Sequence, residues 1–363
     1  MNPYPSSTAR PSTSQPATSR LGRGASIKQG LLARPEDAHC VAFHLLCLVA
    51  YGSAWWLWCH PESWLAGDGT SAGWLPAGWG SSLQMVAFVL PTAFLLGWIS
   101  GIDVGVNFHN HTHRQIFRRP GWNRWFARLW TFSGGWPAAY WQYAHVRVHH
   151  HNLLGERDWT LPKLRPDGRF ESLYVYALCH WPWRYAWHFW QDVQAGRFAK
   201  RVALREGAWF LLFWSIPFWI DPWMGLWLWA LPQWLGNCIT MASGMYVQHA
   251  GCVAKTAEHP VQHSNGFLSP FFNLTMFNIG YHVEHHDYPG VHWADLPAFH
   301  QEHRVQLVAD GAHYVPYGYY RAASMVAAVR DAEQRVQEFC NDTAPGYLRS
   351  PTARETETQP ESA

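Results

Sequence analysis

LQMVAFVLPTAFLLGWISGIDVGVNFHNHTH, residues 83–113, joins a 19-residue uncharged run ending at Gly101 to three histidines, His109, His111 and His113. As a helix, a run of that length crosses a hydrocarbon core of roughly 30 Å. Four residues separate His109 from His113, so a continuing helix puts both imidazoles on one face and turns His111 elsewhere. The pattern predicts a membrane helix whose end carries metal-binding side chains.

Upstream, residues 38–59 hold 22 residues with no formal charge beyond whatever His39 and His44 carry, a first span. Residues 61–82 between the two runs contain no Lys or Arg. Downstream, residues 208–245 are interrupted only by Asp221 beside Pro222, and 38 helical residues reach close to two crossings of a roughly 30 Å core. They read as a helical hairpin with spans at 208–220 and 223–245. The first arm is short and contains Pro217, so a re-entrant segment is the alternative.

Composition agrees with a membrane. The 363 residues are 48% hydrophobic and 14% charged, against about 25% charged in an ordinary soluble domain. That excludes a disordered chain, and 7 cysteines without a CxxC pair exclude a disulfide scaffold or zinc ribbon. The 25 Trp fit membrane interfaces, and the 22 His point to metal. A net charge of +2 leaves no basic field for nucleic acid. All 27 Lys and Arg lie before residue 38, between 102 and 207, or after 246. The positive-inside rule then places both termini and the central region in the cytoplasm. Residues 1–34, basic and rich in Ser, Thr, Pro and Gly, read as a disordered tail, and 326–363 as a polar one. Trp181, Trp183 and the run 187–190, mixed with Arg184 and His188, read either as interfacial helices or as packing against the central region.

Two further histidine clusters follow. His145, His149 and His150 form HxxxHH, with His151 next, and His282, His285 and His286 form HxxHH. Steps of three and four residues put imidazoles on one helix face. With the topology above, all three clusters share one side of the membrane near helix ends, where they can converge. Eight imidazoles exceed the four ligands one zinc ion takes, so two metals are implied. HExxH is absent and carboxylates are few. Neutral imidazole suits iron, zinc or copper, with iron favoured for oxidation in an apolar site. The expected architecture is an all-α integral membrane protein spanning 35–325. It has four transmembrane helices in two hairpins and a cytoplasmic histidine-rich cap, 102–207 and 246–325, holding a di-metal site.

Divided around two pairs of spans, these clusters resemble the three histidine boxes of the membrane fatty acid desaturases, a resemblance covering roughly residues 40–320. The stretches 273–278 (NLTMFN), 280–289 (GYHVEHHDYP) and 122–126 (WNRWF) are most similar to the sphingolipid Δ4 (dihydroceramide) desaturases. The resemblance implies a di-iron centre with nine histidine ligands. Eight map onto His109, His113, His145, His149, His150, His282, His285 and His286. The ninth maps onto His249, with His259 and His263 as rivals. Box two departs from the HxxHH of the sphingolipid enzymes, so His150 and His151 compete for one role.

A ligating histidine normally passes its other N–H to a carboxylate or carbonyl, which makes Asp103, Glu156, Asp158, Glu284 and Asp287 candidate partners. The implied reaction is O2-dependent insertion of a C=C bond into a fatty acyl or sphingoid chain. No haem, flavin or iron–sulfur motif is evident, so electrons would come from a separate ferredoxin or cytochrome b5 type donor drawn to a basic surface. A lipid or carotenoid hydroxylase or ketolase on the same scaffold is the nearest alternative. A metal transporter is the distant one, since the spans offer few ionisable residues.

Overall fold

The computed structural model describes residues 30–63, 82–162, 171–249, 251–316 and 318, and these are predominantly helical. The tails at 1–29 and 326–363 and most of the cation-free loop lie outside the described residues. Helix α1 is Asp37–Cys59; helix α2, Ser82–Ile102, runs on through a π-helical segment, Asp103–Phe108, into α3, His109–His113. Among the described residues, α1 and the 32-residue stretch Ser82–His113 are long and apolar enough to cross a membrane. Both expose apolar side chains, Leu45, Val49 and Trp56 on α1 and Leu90, Phe94 and Leu95 on α2. The buried side of α1 carries His44, Cys47 and Tyr51, and that of α2 Val89, Ala93 and Leu96. Such apolar-out helices suit lipid better than water.

The apolar region 208–245 is divided differently from its sequence reading. Helix α7 starts at Lys200 and ends at Trp214, so its charged first half precedes the apolar half. A one-residue break at Ser215 leads to α8, Ile216–Ile220, where Pro217 sits in the first turn. Asp221 caps the next helix, accepting from the N–H of Trp223 at 2.8 Å and of Met224 at 3.1 Å. From Pro222 the chain stays helical to His249 through α9 (Pro222–Gly225), α10 (Leu231–Gly236) and α11 (Ser243–His249), joined by π-helical segments. This arm packs backbone to backbone on α2. A Cβ on Gly97 would meet the Pro232 carbonyl at 2.7 Å, and one on Gly236 the Gly97 carbonyl at 2.5 Å, so both positions require glycine, as close helix pairs in membranes do.

The remaining elements are helices α4 (Pro120–Phe132), α5 (Ala138–Gln142), α6 (Trp181–Gln194), α12 (Pro270–Thr275), α13 (His282–Asp287) and α14 (Leu296–Ala309). The expectation of an all-α fold needs one amendment. Strands β1 (Asn265–Phe267) and β2 (His313–Val315) pair in parallel, Gly266 opposite Tyr314. A Cβ on Gly266 would lie 2.3 Å from the Tyr314 ring, which explains the glycine. The crossover between these strands contains α12, α13 and α14, and the Phe267 N–H donates to the Gly280 carbonyl at 2.8 Å. The short pair thus anchors the segment leading into the third histidine box.

Candidate metal centre

Each histidine box sits on a helical segment whose repeat matches its spacing. α3 presents His109 and His113 one turn apart, and α13 presents His282, His285 and His286 within a turn and a half. The middle box lies on a π-helical segment, Tyr143–His150, whose i to i+5 bonding widens the turn. Steps of four and five residues from His145 therefore reach His149 and His150 on one side. That geometry accommodates the longer HxxxHH gap and separates the competitors, since His150 faces inward and His151 is exposed. His111 is buried away from the others, 6.0 Å from the Phe108 ring and 5.6 Å from that of Trp130.

The boxes converge into two adjoining groups. In the first, His109, His113, His145, His150 and His285 bring ligand atoms within 4.8 Å of one another; in the second, His149, His249 and His286 do the same. His282 joins the second group, its Nε2 lying 3.1 Å from Nε2 of both His249 and His286. In the first, Nε2 of His145 is 2.9 Å from that of His113 and 3.1 Å from that of His150, and His285 is 3.2 Å from His150. Nitrogens each about 2.1 Å from a common ion lie roughly 3.0–3.4 Å apart, so these spacings fit shared coordination.

Hydrogen bonding gives the same fit. Both ring nitrogens of His109, Nε2 of His149 and Nδ1 of His282 and His286 are buried without a hydrogen-bond partner. Each such atom costs about 1–3 kcal/mol unless something accepts its lone pair or proton. Burial first, and mutual repulsion of the imidazoles second, hold His145, His150, His282, His285 and His286 well below the ordinary histidine range. Neutral rings are the form that ligates.

Outer contacts orient individual rings. Asp158 accepts from Nδ1 of His149 at 3.0 Å and is itself fixed by the Thr160 hydroxyl at 2.5 Å and the Leu154 N–H at 3.3 Å. Nδ1 of His249 donates to the His263 carbonyl at 3.0 Å, leaving Nε2 to face the group. The rivals of His249 stand apart from both groups. The His263 ring bonds Ser264 and Asp287, each at 3.0 Å, and His259 is in neither group.

The other carboxylates serve different contacts. Asp103 pairs with His44 of α1 at 2.7 Å, Glu156 is exposed, and Asp287 holds His263 and Lys255. Burial alone would raise Asp287, but those two donors keep it below the usual carboxylate range. Glu284 is fully buried and bonds His300 and the Tyr314 hydroxyl rather than a grouped histidine. Burial, followed by the Glu284 charge, pushes the Tyr314 phenol up. His300 and Tyr314 did not stand out in the sequence, and His44 did so only as a histidine within the first span, because nothing local marks a histidine or tyrosine whose acid partner is distant.

An apolar cavity opens onto both groups, touching His109 and His145 of the first and His149 and His282 of the second. Its other walls include Trp136, Trp141, Met241, Met245 and Ile279.

These features define a helical protein with two histidine groups able to hold metal ions beside an apolar chamber. The family model described as fatty acid desaturase matches residues 84–318, more than half of the sequence, and the chain belongs to that family. A search of curated proteins returned no match.

Proposed function

We propose that this chain is a membrane-bound, O2-dependent di-iron lipid desaturase that introduces a C=C bond into a fatty acyl or sphingoid chain. The observation that carries the reading is an apolar cavity that reaches histidines of both groups, which would let a hydrocarbon chain lie against the pair of metals. His109, His113, His145, His150 and His285 would hold one iron, and His149, His249, His282 and His286 the other. Bound iron supplies O2 activation and removal of hydrogen from an unactivated methylene. The chain itself keeps the imidazoles neutral by burial, aims His149 through Asp158 and His249 through the His263 carbonyl, and excludes water with an aromatic wall.

In this reading residues 35–325 form the catalytic unit. α1 with α2–α3 makes one membrane hairpin, α7–α8 with α9–α11 the other, and the histidines and both termini are cytoplasmic. Electrons come from a separate ferredoxin or cytochrome b5 type protein. The motifs at 122–126 and 273–289 favour a sphingoid chain. Feeding a saturated chain deuterated on adjacent carbons under labelled O2 tests the reaction. Loss of two vicinal deuteria with no 18O in the lipid supports desaturation, and one 18O retained would make this a hydroxylase or ketolase on the same scaffold.

A further inference from the structure

Helix α11 and the π-helical segment before it, Asn237–Ala242, place Met241, Met245 and Gln248 on the wall of the chamber beside the histidines, at the four- and three-residue steps of one helix face. Two of the three are apolar. Gln248 is not: it is 5% exposed, and among the described residues its side-chain amide makes no hydrogen bond. It stands directly before His249 of the second group and shares the chamber with His149 and His282.

Other polar groups of the wall are engaged or closed off. The Tyr140 hydroxyl donates to the Ala203 carbonyl at 2.5 Å, the Trp159 indole to Asp192 at 3.1 Å, and the Thr160 hydroxyl to Asp158. The Thr240 hydroxyl lies against α2, where a Cβ on Gly101 would collide with it. An unfilled amide in a buried apolar wall is costly, because folding has removed its bonds to water and supplied none in return. A ligand that bonds it removes that cost.

The chemistry of the amide restricts what can fill it. It offers N–H donors and a carbonyl acceptor side by side, so one hydroxyl oxygen can accept from the first and donate to the second. A trans secondary amide points its N–H and C=O in opposite directions and meets only one of the two. Among the described residues no Lys, Arg, Asp or Glu lines the chamber, so a carboxylate or phosphate would be buried there without a counter-charge.

We propose that Gln248 is a specificity-determining residue that holds a hydroxyl borne by the hydrocarbon chain of the substrate. The proposal rests on the desaturase reading for the nature of that chain, and narrows the substrate to chains hydroxylated close to the carbons oxidised. A chain held by its hydroxyl cannot slide along the chamber, so the same contact fixes which carbons face the histidines. The hydroxyl has two sources, a sphingoid base or a hydroxylated acyl chain.

The test measures binding to the iron-loaded full chain in dodecyl maltoside with no electron donor, so turnover is not required. Thermal unfolding is titrated with two pairs of probes: N-acyl sphinganine and its 3-deoxy analogue, and the methyl esters of 3-hydroxystearate and stearate. At least one hydroxylated probe should bind about tenfold more tightly than its unsubstituted partner, and the pair that does so identifies the source. Gln248→Leu removes donor and acceptor at similar volume, and should bring that ratio to about one while the unsubstituted probe binds as before. Gln248→Met repeats the comparison with an unbranched side chain, in case the leucine variant does not fold. Equal binding within both pairs by the unaltered chain, or a tenfold ratio that survives in either variant, would overturn the proposal. Failure of the desaturase reading would show separately, as oxygen gained or no double bond formed in the labelled-chain experiment while the hydroxyl preference in binding persists.

Discussion

Nδ1 of His249 donates to the backbone carbonyl of His263 at 3.0 Å, so the side chain of one histidine is aimed by the main chain of another. The two therefore respond differently to truncation. His249→Ala removes a nitrogen that lies 3.1 Å from His282 in the second group, and should lower bound iron from about two per chain to about one. His263→Ala keeps the carbonyl and should retain both ions. Elemental analysis of the purified variants decides the matter, and two ions retained in His249→Ala would remove that residue from the ligand set.

Asp158 and Glu156 stand two residues apart but have opposite surroundings. Asp158 is buried against Nδ1 of His149, whereas Glu156 is exposed. Loss of a partner of this kind typically costs 10–100-fold in metal affinity. Asp158→Asn should show a loss of about that size in chelator competition, and Glu156→Gln should match the unaltered chain. Equal behaviour of the two variants would show that His149 does not depend on Asp158.

How far these residues could be read in advance depended on whether the cause was local. His109 and His113, or His282 and His286, are set by ordinary helical repeat and are legible directly. The middle box was ambiguous between His150 and His151 because a π-helical turn has no compositional signature, yet that turn brings His149 and His150 to the two groups. α1 and α2 were legible from uninterrupted apolar length. The start of α7 at Lys200 was not, because hydropathy sees only its apolar half and helical hydrogen bonding continues through Lys200, Arg201 and Glu206. Asp103 was a candidate partner for a grouped histidine from its residue type alone; its carboxylate pairs with His44 on α1, a contact that sequence proximity cannot announce. Gly97 and Gly101 form a GxxxG pattern, a local signal that could have announced the close approach of the arm carrying Gly236.

Burial makes the apo centre sensitive to acid. His145, His150, His282, His285 and His286 all titrate below their ordinary value when folded, burial being the main cause. Between the folded and unfolded pKa values the unfolded chain binds more protons, so stability rises with pH there and falls as pH drops. The window opens near the unfolded value of about 6.5 and extends downward. Metal-stripped protein in detergent should therefore lose Tm steadily from about pH 7 to 5. His285→Gln, with one fewer buried imidazole, should show a shallower slope. A Tm that stays flat or rises on acidification would mean that these rings are not held neutral.

The last prediction concerns the chamber beside the histidines. Met245 lines it without belonging to either group, and Met241 lines it one helical turn earlier. If a hydrocarbon chain lies there during oxidation, Met245→Trp should obstruct its path while leaving every histidine in place. Overpacking of this kind typically costs about 1–3 kcal/mol, small enough for the fold to persist in most proteins. The expected outcome is two irons per chain, an unchanged thermal transition within a few degrees, and turnover of long saturated chains lowered about tenfold or more, with shorter chains less affected. Measuring iron, Tm and turnover on one preparation separates obstruction from misfolding. Full turnover of long chains by a folded, iron-loaded Met245→Trp variant would place the substrate elsewhere and withdraw the observation on which the desaturase reading chiefly rests.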